Sequence, residues 1–304
     1  MADEKVDTAT KNKLALIDVV REFAIKHLHQ ADHESYTYYA EIDRDYVAWN
    51  VSACQPLKFE EYTWWFPIAG TVPYKGFFDK EYAREEYEKL KEKGLDARLR
   101  PVPAYSTLGW FSDPIFSSFL KGSDSSLIEL VIHEMSHATL YISSDTTFNE
   151  SFASFVEQVG TEKYFQHKGQ FDKLMKYRHS NEDYLKYISI MKLTAEKLEK
   201  LYSADLSDEK KKIEKKIIID ELKMKVLSGQ VVFHNKGYQN IFKGELNNAH
   251  FQSILRYQSG SAMFQRIYDE NGKDMKKFLE AMQKFKDYSN KERRKRLFET
   301  VKSG

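Results

Sequence analysis

Residues 127–141 read LIELVIHEMSHATLY, and the organisation of the whole chain is best understood from this stretch. Its apolar residues fall on almost every side of the helix that their spacing predicts, so the helix is expected to be buried. Ser126 followed by Glu129 matches the Ser-x-x-Glu capping box, which places the helix start near residue 127. Polar side chains on a buried helix need a partner or a ligand. The polar side chains on this helix are therefore the first candidates for catalytic or ligand-binding residues.

His133, Glu134 and His137 form a His-Glu-x-x-His motif, which is typical of zinc hydrolases. Residues four apart on an α-helix are separated by about 6 Å along the axis and roughly 40° around it, so both imidazoles can bind one metal ion. The Glu134 carboxylate beside them can take a proton from water as the general base of metal-assisted hydrolysis. Alternatively, both histidines are satisfied core residues and Glu134 faces solvent. That arrangement is costly on a buried apolar helix without a ligand.

A catalytic zinc ion needs a third protein ligand and leaves its fourth position open. Ser143 stands where metzincins carry a third His, and Leu140 replaces their glycine, so that subclass is excluded. Glu150 is the better candidate, because it begins a second helix, predicted over 148–159, that a short connection folds back on the first. Alternatively, Glu150 closes a capping box with Thr147. Only the ligand interpretation completes a metal site.

Several residues around this motif are further candidates. Glu157, seven residues after Glu150, lies on nearly the same helix face and can orient a ligating histidine, or it is an ordinary surface carboxylate. Asn149, like Glu157, is expected to support the metal ligands without binding the metal itself. Tyr105 is a candidate donor to a developing oxyanion, although packing is the commoner role of a tyrosine. Residues 97–102 predict an exposed edge strand.

The remaining patterns predict an α+β, mainly helical chain, with a small sheet in the N-terminal half flanking the active-site helix and a helical C-terminal half. A zinc-binding catalytic region is assigned to 13–160, and the helical region 161–304 is expected to complete one domain. The predicted elements are helices at 13–29, 80–93 and 274–302, short strands or extended loops within 33–76, a helix end at Gly160, and a helical hairpin at 164–227 with Ser207 as its second N-cap.

Composition limits the classes of function. The 47 Lys and Arg against 46 Asp and Glu give a net charge of +1, which offers no global attraction to nucleic acid, so no nucleic-acid partner is expected. A single cysteine, Cys54, excludes an internal disulfide and a Cys-rich zinc cluster, so a metal site must use His and carboxylates. Residues 1–12 lack the apolar core of a signal peptide, and we expect no membrane segment in this chain.

The motif and its surroundings resemble known metallopeptidases. His-Glu-x-x-His followed by Asn149-Glu150-x-x-Ala153 resembles the gluzincin signature. Further stretches resemble a bacterial family described as predicted aminopeptidases: WFPIAG (65–70), VPYKGFFD (72–79), AYSTLGWF (104–111), FNESFA (148–153) and ELNNA (245–249). The resemblance is dense from 36 to 160 and returns at 245–249, whereas 164–237 is not diagnostic.

The resemblance implies a zinc aminopeptidase acting on a peptide substrate, in which His133, His137 and Glu150 bind the metal and Glu134 is the catalytic acid-base. One Zn²⁺ per chain is expected. Location in the bacterial cell envelope or periplasm, with the N-terminal anchor removed, is also implied. Two alternatives stay open. One is a zinc endopeptidase or amidase, because its metal chemistry would be the same. The other is a catalytically silent zinc-binding module, although the intact Glu134 argues against it.

Overall fold

The computed structural model describes residues 6–33, 37–42, 44, 46–67, 70–102, 115–143, 145–256 and 261–299. The chain divides into two compact units. The first comprises Met1–Asp45, Ala104–Leu174 and Tyr257–Gly304, and the second comprises Tyr46–Pro103 and Met175–Arg256. The division inferred from the sequence, a zinc-binding catalytic region at 13–160 with the helical region 161–304 completing one domain, stays a prediction.

Helices make up most of the described chain, and its short strands all lie between residues 39 and 116, so the predicted α+β, mainly helical fold class is confirmed. The helices are α1 (Thr8–Leu28), α2 (Lys80–Glu92), α3 (Asp124–Thr139), α4 (Thr146–His167), α5 (Phe171–Tyr202), α6 (Asp208–Leu227), α7 (Lys236–Ile241), α8 (Asn248–Arg256), α9 (Ser261–Glu270), α10 (Met275–Gln283) and α11 (Asn290–Glu299). The strands are β1 (Tyr39–Ala40), β2 (Ala48–Cys54), β3 (Trp64–Phe66), β4 (Gly70–Val72), β5 (Lys75–Phe77), β6 (Asp96–Val102) and β7 (Ile115–Phe116). No described helix is both long and apolar enough to cross a bilayer.

The first unit is built around α4, which packs against α3 on one side and α9 on another. On the α9 side, α4 presents Phe148, Phe152 and Phe155 to Phe264 of α9 and Phe278 of α10, with ring centroids 5.1–6.2 Å apart across the helices. All five rings are buried. Buried aromatic rings dominate core energetics, so this cluster fixes the orientation of α4. The other side of α4 is thereby held against α3.

Gly160 does not end the second helix, contrary to the sequence-based prediction, because α4 continues to His167. The glycine serves close packing instead. A Cβ at this position would meet Leu28 Cδ1 of α1 at 2.7 Å and Ile132 Cγ2 of α3 at 2.9 Å. Both neighbours are fully buried, so neither can move aside cheaply. The absence of a side chain lets three helices meet at this point.

Other predicted helices also differ from expectation. Helix α3 begins at Asp124 rather than near residue 127, because Ser123 is its N-cap and accepts a hydrogen bond from the Ser126 amide at 3.1 Å. The helix predicted over 274–302 is divided into α10 and α11 by a 3-10 turn at Lys284–Asp287. Helix α2 ends at Glu92, one residue before the predicted limit, and is followed by Gly94 with φ +77°. The predicted N-cap Ser207 is confirmed.

The second unit contains a three-stranded antiparallel sheet in the order β5-β2-β6, which makes β6 the edge strand that the sequence predicts. Asp96 at the start of β6 accepts a hydrogen bond from the Asn248 amide at 2.7 Å and pairs with Lys215 of α6. The Asn248 side chain donates to Gln55 O at 2.9 Å and accepts from Tyr202 Oη at 2.7 Å. The 245–249 stretch singled out in the sequence therefore joins the sheet to the helices of this unit.

Substitution of Gly160 tests the helix packing of the first unit. Alanine usually stabilises a helix interior relative to glycine, but here its methyl group would overlap two buried side chains, so we expect Gly160→Ala to lower the free energy of unfolding by about 1–3 kcal/mol. Ser154→Ala, at an exposed position of the same helix, should be neutral or slightly stabilising. Denaturant unfolding followed by circular dichroism compares the two. A rise in the unfolding midpoint of Gly160→Ala would contradict the packing role.

Candidate metal centre

Helix α3 is fixed against the chain that follows α1 by a short polar network. Gln30 Nε2 donates to the Ile132 carbonyl at 3.0 Å and to Ser136 Oγ at 2.7 Å, and Ser136 Oγ donates to the same carbonyl. All three residues are buried. Because buried hydrogen bonds specify one arrangement, they set the rotation of α3 about its axis. His133 and His137, four residues apart, thereby face α4.

The turn between α3 and α4 is held by Asn149. Its Oδ1 accepts a hydrogen bond from the Ile142 amide at 2.9 Å, and its Nδ2 donates to the Ile142 carbonyl at 2.8 Å. Asn149 is almost fully buried, and without it the Ile142 amide would lose its partner and the Ile142 carbonyl would keep only the Asp145 amide at 3.3 Å. The residue next to Glu150 thus closes the connection that brings α4 back along α3.

The N-terminus of α4 is capped by Asp145, whose carboxylate accepts a hydrogen bond from the Phe148 amide at 3.3 Å. Thr147 lies inside the helix, so the capping box that would have occupied Glu150 is not formed. Asp145 also accepts a hydrogen bond from Arg293 Nε of α11 at 2.7 Å, and both side chains are buried. Arg293 additionally donates to the Phe285 carbonyl at 3.3 Å.

Sequence reasoning missed both members of this pair. Asp145 is a favoured N-cap residue three positions before Phe148, and this local signal could have identified it. Arg293 carries no local signal, because its partner lies 148 positions earlier in the chain. Its burial is visible only in the folded chain.

The ligand atoms of His133, His137 and Glu150 converge on one point. The two Nε2 atoms lie 3.2 Å apart. Glu150 Oε2 is 3.5 Å from His133 Nε2, and Glu150 Oε1 is 3.6 Å from His137 Nε2. Tetrahedral zinc with bonds of about 2.1 Å separates its ligand atoms by about 3.4 Å. These donor types at these separations therefore fit a zinc ion.

The outer nitrogen of His133 is held by Glu157, whose Oε2 lies 2.8 Å from His133 Nδ1. A carboxylate at this position fixes the ring orientation and directs the Nε2 lone pair toward a metal. Glu157 thus lies where an orienting carboxylate is required. His137 Nδ1 is buried and has no hydrogen-bond partner among the residues that the structure describes.

The three candidate ligands influence one another's protonation. Burial lowers the pKa of His133, but hydrogen bonds with Glu150 and Glu157 outweigh it and raise the pKa to about 10. Burial and then the neighbouring His133 charge lower the pKa of His137 to about 4. Burial raises the pKa of Glu150, but its bond with His133 and the charges of both histidines bring it below the usual value. The carboxylates therefore stabilise a positive charge on His133, while His137 stays neutral.

Glu134 and Tyr105 complete the predicted set. Glu134 follows His133 on α3, is partly buried, and is among the carboxylates that raise the pKa of His133. Tyr105 lies outside the described residues. The structure thus brings His133, His137, Glu150 and Glu157 into contact and places Glu134 beside them.

The assignment of the α4 cap can be tested by stability measurements. Asp145→Ala removes the cap and leaves Arg293 buried without its carboxylate, so we expect the free energy of unfolding to fall by about 3–5 kcal/mol. Thr147→Ala removes a hydroxyl inside the helix and should change it by less than about 1 kcal/mol. Asp145→Asn keeps an acceptor for the cap, so its loss in the free energy of unfolding should lie between the losses of the other two variants. Chemical unfolding of the three variants gives the order, and a larger loss for Thr147→Ala would identify Thr147 as the cap.

Comparison with protein families gives a match over almost the whole sequence. Residues 1–297, which include both ligand-bearing helices, match the family described as "Putative aminopeptidase". No curated protein and no solved structure gives a match. The family match supports peptidase activity. Since it spans nearly the whole sequence, the chain belongs to the putative aminopeptidase family.

Proposed function

We propose that this chain is a zinc-dependent peptidase of the gluzincin type that removes residues from the N-termini of short peptides. One observation carries the proposal: the Nε2 atoms of His133 and His137 lie 3.2 Å apart, and each lies 3.5–3.6 Å from one of the two carboxylate oxygens of Glu150. The family description contributes the reaction class, hydrolysis of a peptide bond.

Zinc is the metal that this donor set favours. Two imidazoles and one carboxylate are the protein ligands of many catalytic zinc sites, which keep one further position open. When bound, zinc supplies Lewis acidity, which polarises a substrate carbonyl and lowers the pKa of water. The side chain of Glu150 is 33% exposed and that of His133 is 18% exposed. Water and substrate can therefore reach the ligands, which supports a catalytic site over a closed structural one.

Glu134 is assigned the proton transfers. It is the residue next to His133. Because Glu150 supplies the third ligand, the carboxylate of Glu134 is not needed for metal binding. Its oxygen can accept the proton of the attacking water and then deliver it to the leaving amine. A carboxylate that is only partly buried keeps the access to substrate that this role requires.

The supporting residues have positioning roles. Glu157 fixes the His133 ring through the 2.8 Å contact with Nδ1, and Asn149 holds the turn that places Glu150. Tyr105 remains our proposed donor to the oxyanion that forms as water adds to the carbonyl.

The ligand set can be tested by metal analysis. After metal-free purification and reconstitution with Zn²⁺, we expect the parent to carry zinc at this site, and His133→Ala and Glu150→Ala to lose it because each removes one of three ligands. Glu157→Gln should bind zinc about 10–100-fold more weakly. Glu134→Gln is the matched control: it should keep the metal but lose hydrolysis about 10²–10⁴-fold. Elemental analysis, competition with a chelator and a peptide assay supply these readouts.

The ligand assignment would be wrong if His133→Ala and Glu150→Ala bound zinc as tightly as the parent. The assignment of Glu134 would be wrong if its glutamine variant kept activity within about tenfold of the parent. A parent that holds zinc and hydrolyses no peptide would support the silent binding module instead.

The preference for a free N-terminus is tested with paired peptides that differ only in N-acetylation. An aminopeptidase gains transition-state binding energy from the α-ammonium group, so we expect faster cleavage of the free peptide, with release of the first residue. Mass spectrometry of the products identifies the bond that is cut. Equal or faster cleavage of the acetylated peptide at an internal bond would identify an endopeptidase.

A further inference from the structure

The second unit contains another group of metal-ligating side chains, which we call the His179 cluster and define as His179, Glu182 and His234. Each offers one ligand atom, and these atoms all lie within 4.8 Å of one another. His234 Nε2 is 3.2 Å from Glu182 Oε2. The two imidazole rings stack with centroids 4.2 Å apart and an interplanar angle of 10°. None of the three residues belongs to the site on α3 and α4.

Local structure brings two of these residues onto one face. His179 and Glu182 are three positions apart on α5, so their side chains project from neighbouring points of the same helix surface. His234 comes from the segment between α6 and α7, which returns alongside α5. The cluster therefore joins a helix to a loop, and the spacing of its residues in the sequence does not predict it.

The backbone on both sides of His234 is fixed by hydrogen bonds and by packing of the neighbouring Phe233. The fully buried Asp183 carboxylate accepts hydrogen bonds from the amide of His234 at 2.9 Å and from that of Asn235 at 2.6 Å. Phe233 is buried and stacks against Phe242 with ring centroids 6.3 Å apart. Lys186 Nζ donates to the Val232 carbonyl at 2.7 Å. The position of His234 is thus determined while its imidazole stays exposed.

A held loop that presents an exposed imidazole to a second imidazole and a carboxylate is suited to binding a cation. Two nitrogens and one carboxylate oxygen favour borderline divalent transition metals over calcium or magnesium, which prefer all-oxygen sites. Stacked rings cannot both direct a lone pair at one ion, so at least one ring must turn out of the stack on binding. Both rings carry accessible surface that permits this turn, and metal–nitrogen bonds offset the lost ring contact.

We propose that His179, Glu182 and His234 form a second metal site, which binds Zn²⁺ or a similar divalent transition metal and links α5 to the loop before α7. The site has fewer buried supporting contacts than the one on α3 and α4, and it lies in a high-dielectric surface environment. It therefore binds more weakly and exchanges its ion more readily. Water completes the coordination.

The test counts ions bound to the full-length chain. Metal-free parent, His179→Ala and His234→Ala are titrated with Zn²⁺ by calorimetry, and Ni²⁺ serves as a second probe. All substituted positions are at least partly exposed, so the variants should fold like the parent, which circular dichroism checks. We expect each variant to bind one ion fewer per chain than the parent. Glu196→Gln, at an exposed position of α5, should leave the titration unchanged.

This outcome is independent of the proposed peptidase site. His133→Ala should keep the step that His234→Ala removes, whether or not zinc binds to α3 and α4. The proposal is overturned if His179→Ala and His234→Ala both reproduce the parent's number of ions and affinities, or if the step that they remove has a dissociation constant above about 1 mM, which corresponds to roughly −4 kcal/mol and indicates nonspecific surface binding.

Discussion

The geometry of the first unit depends on where α4 begins. Asp145, which forms a buried pair with Arg293, caps that helix, and Asn149 holds the turn that precedes it. A buried ion pair adds little net stability compared with a well-packed apolar pair, because both charges lose their hydration. The role of the Asp145–Arg293 pair is to fix the residue at which α4 begins. A one-residue shift of the helix start would rotate Glu150 by about 100° away from the two histidines, so an interaction with little net energy controls the ligand set.

The same region combines an apolar environment with concentrated charge. Helix α3 is buried along most of its length, and yet two histidines and two carboxylates meet on its α4 side. Without a cation, such an arrangement is balanced by a proton on His133, whose pKa is raised to about 10 by Glu150 and Glu157 although burial opposes it. The donor set thus already stabilises positive charge at the position where a metal would lie. Ordinary core packing gives no reason for two carboxylates to converge on one imidazole.

Sequence reasoning succeeded where the physics is local and failed where it depends on tertiary packing. The i, i+4 spacing of His133 and His137 could be predicted, because helix geometry alone determines it. Gly160 was assigned to a helix end from its residue type, but its role follows from side chains of α1 and α3 that approach it in the folded chain. Arg293 and His234 could not have been found, since each acquires its partner from a distant part of the sequence.

The two groups of potential ligands have nearly the same chemistry and different surroundings. Both consist of two imidazoles and a glutamate, but the one on α3 and α4 is largely buried and has an orienting carboxylate, whereas the His179 cluster is solvated and its rings stack on each other. Low dielectric strengthens the field that a cation exerts on a bound carbonyl, and water weakens it. Donor identity decides which ion can bind, and burial decides whether that ion can activate a substrate. Of the two groups, only the one on α3 and α4 meets both conditions, and this contrast supports our proposals of peptide hydrolysis at that group and of a linking metal site at the His179 cluster.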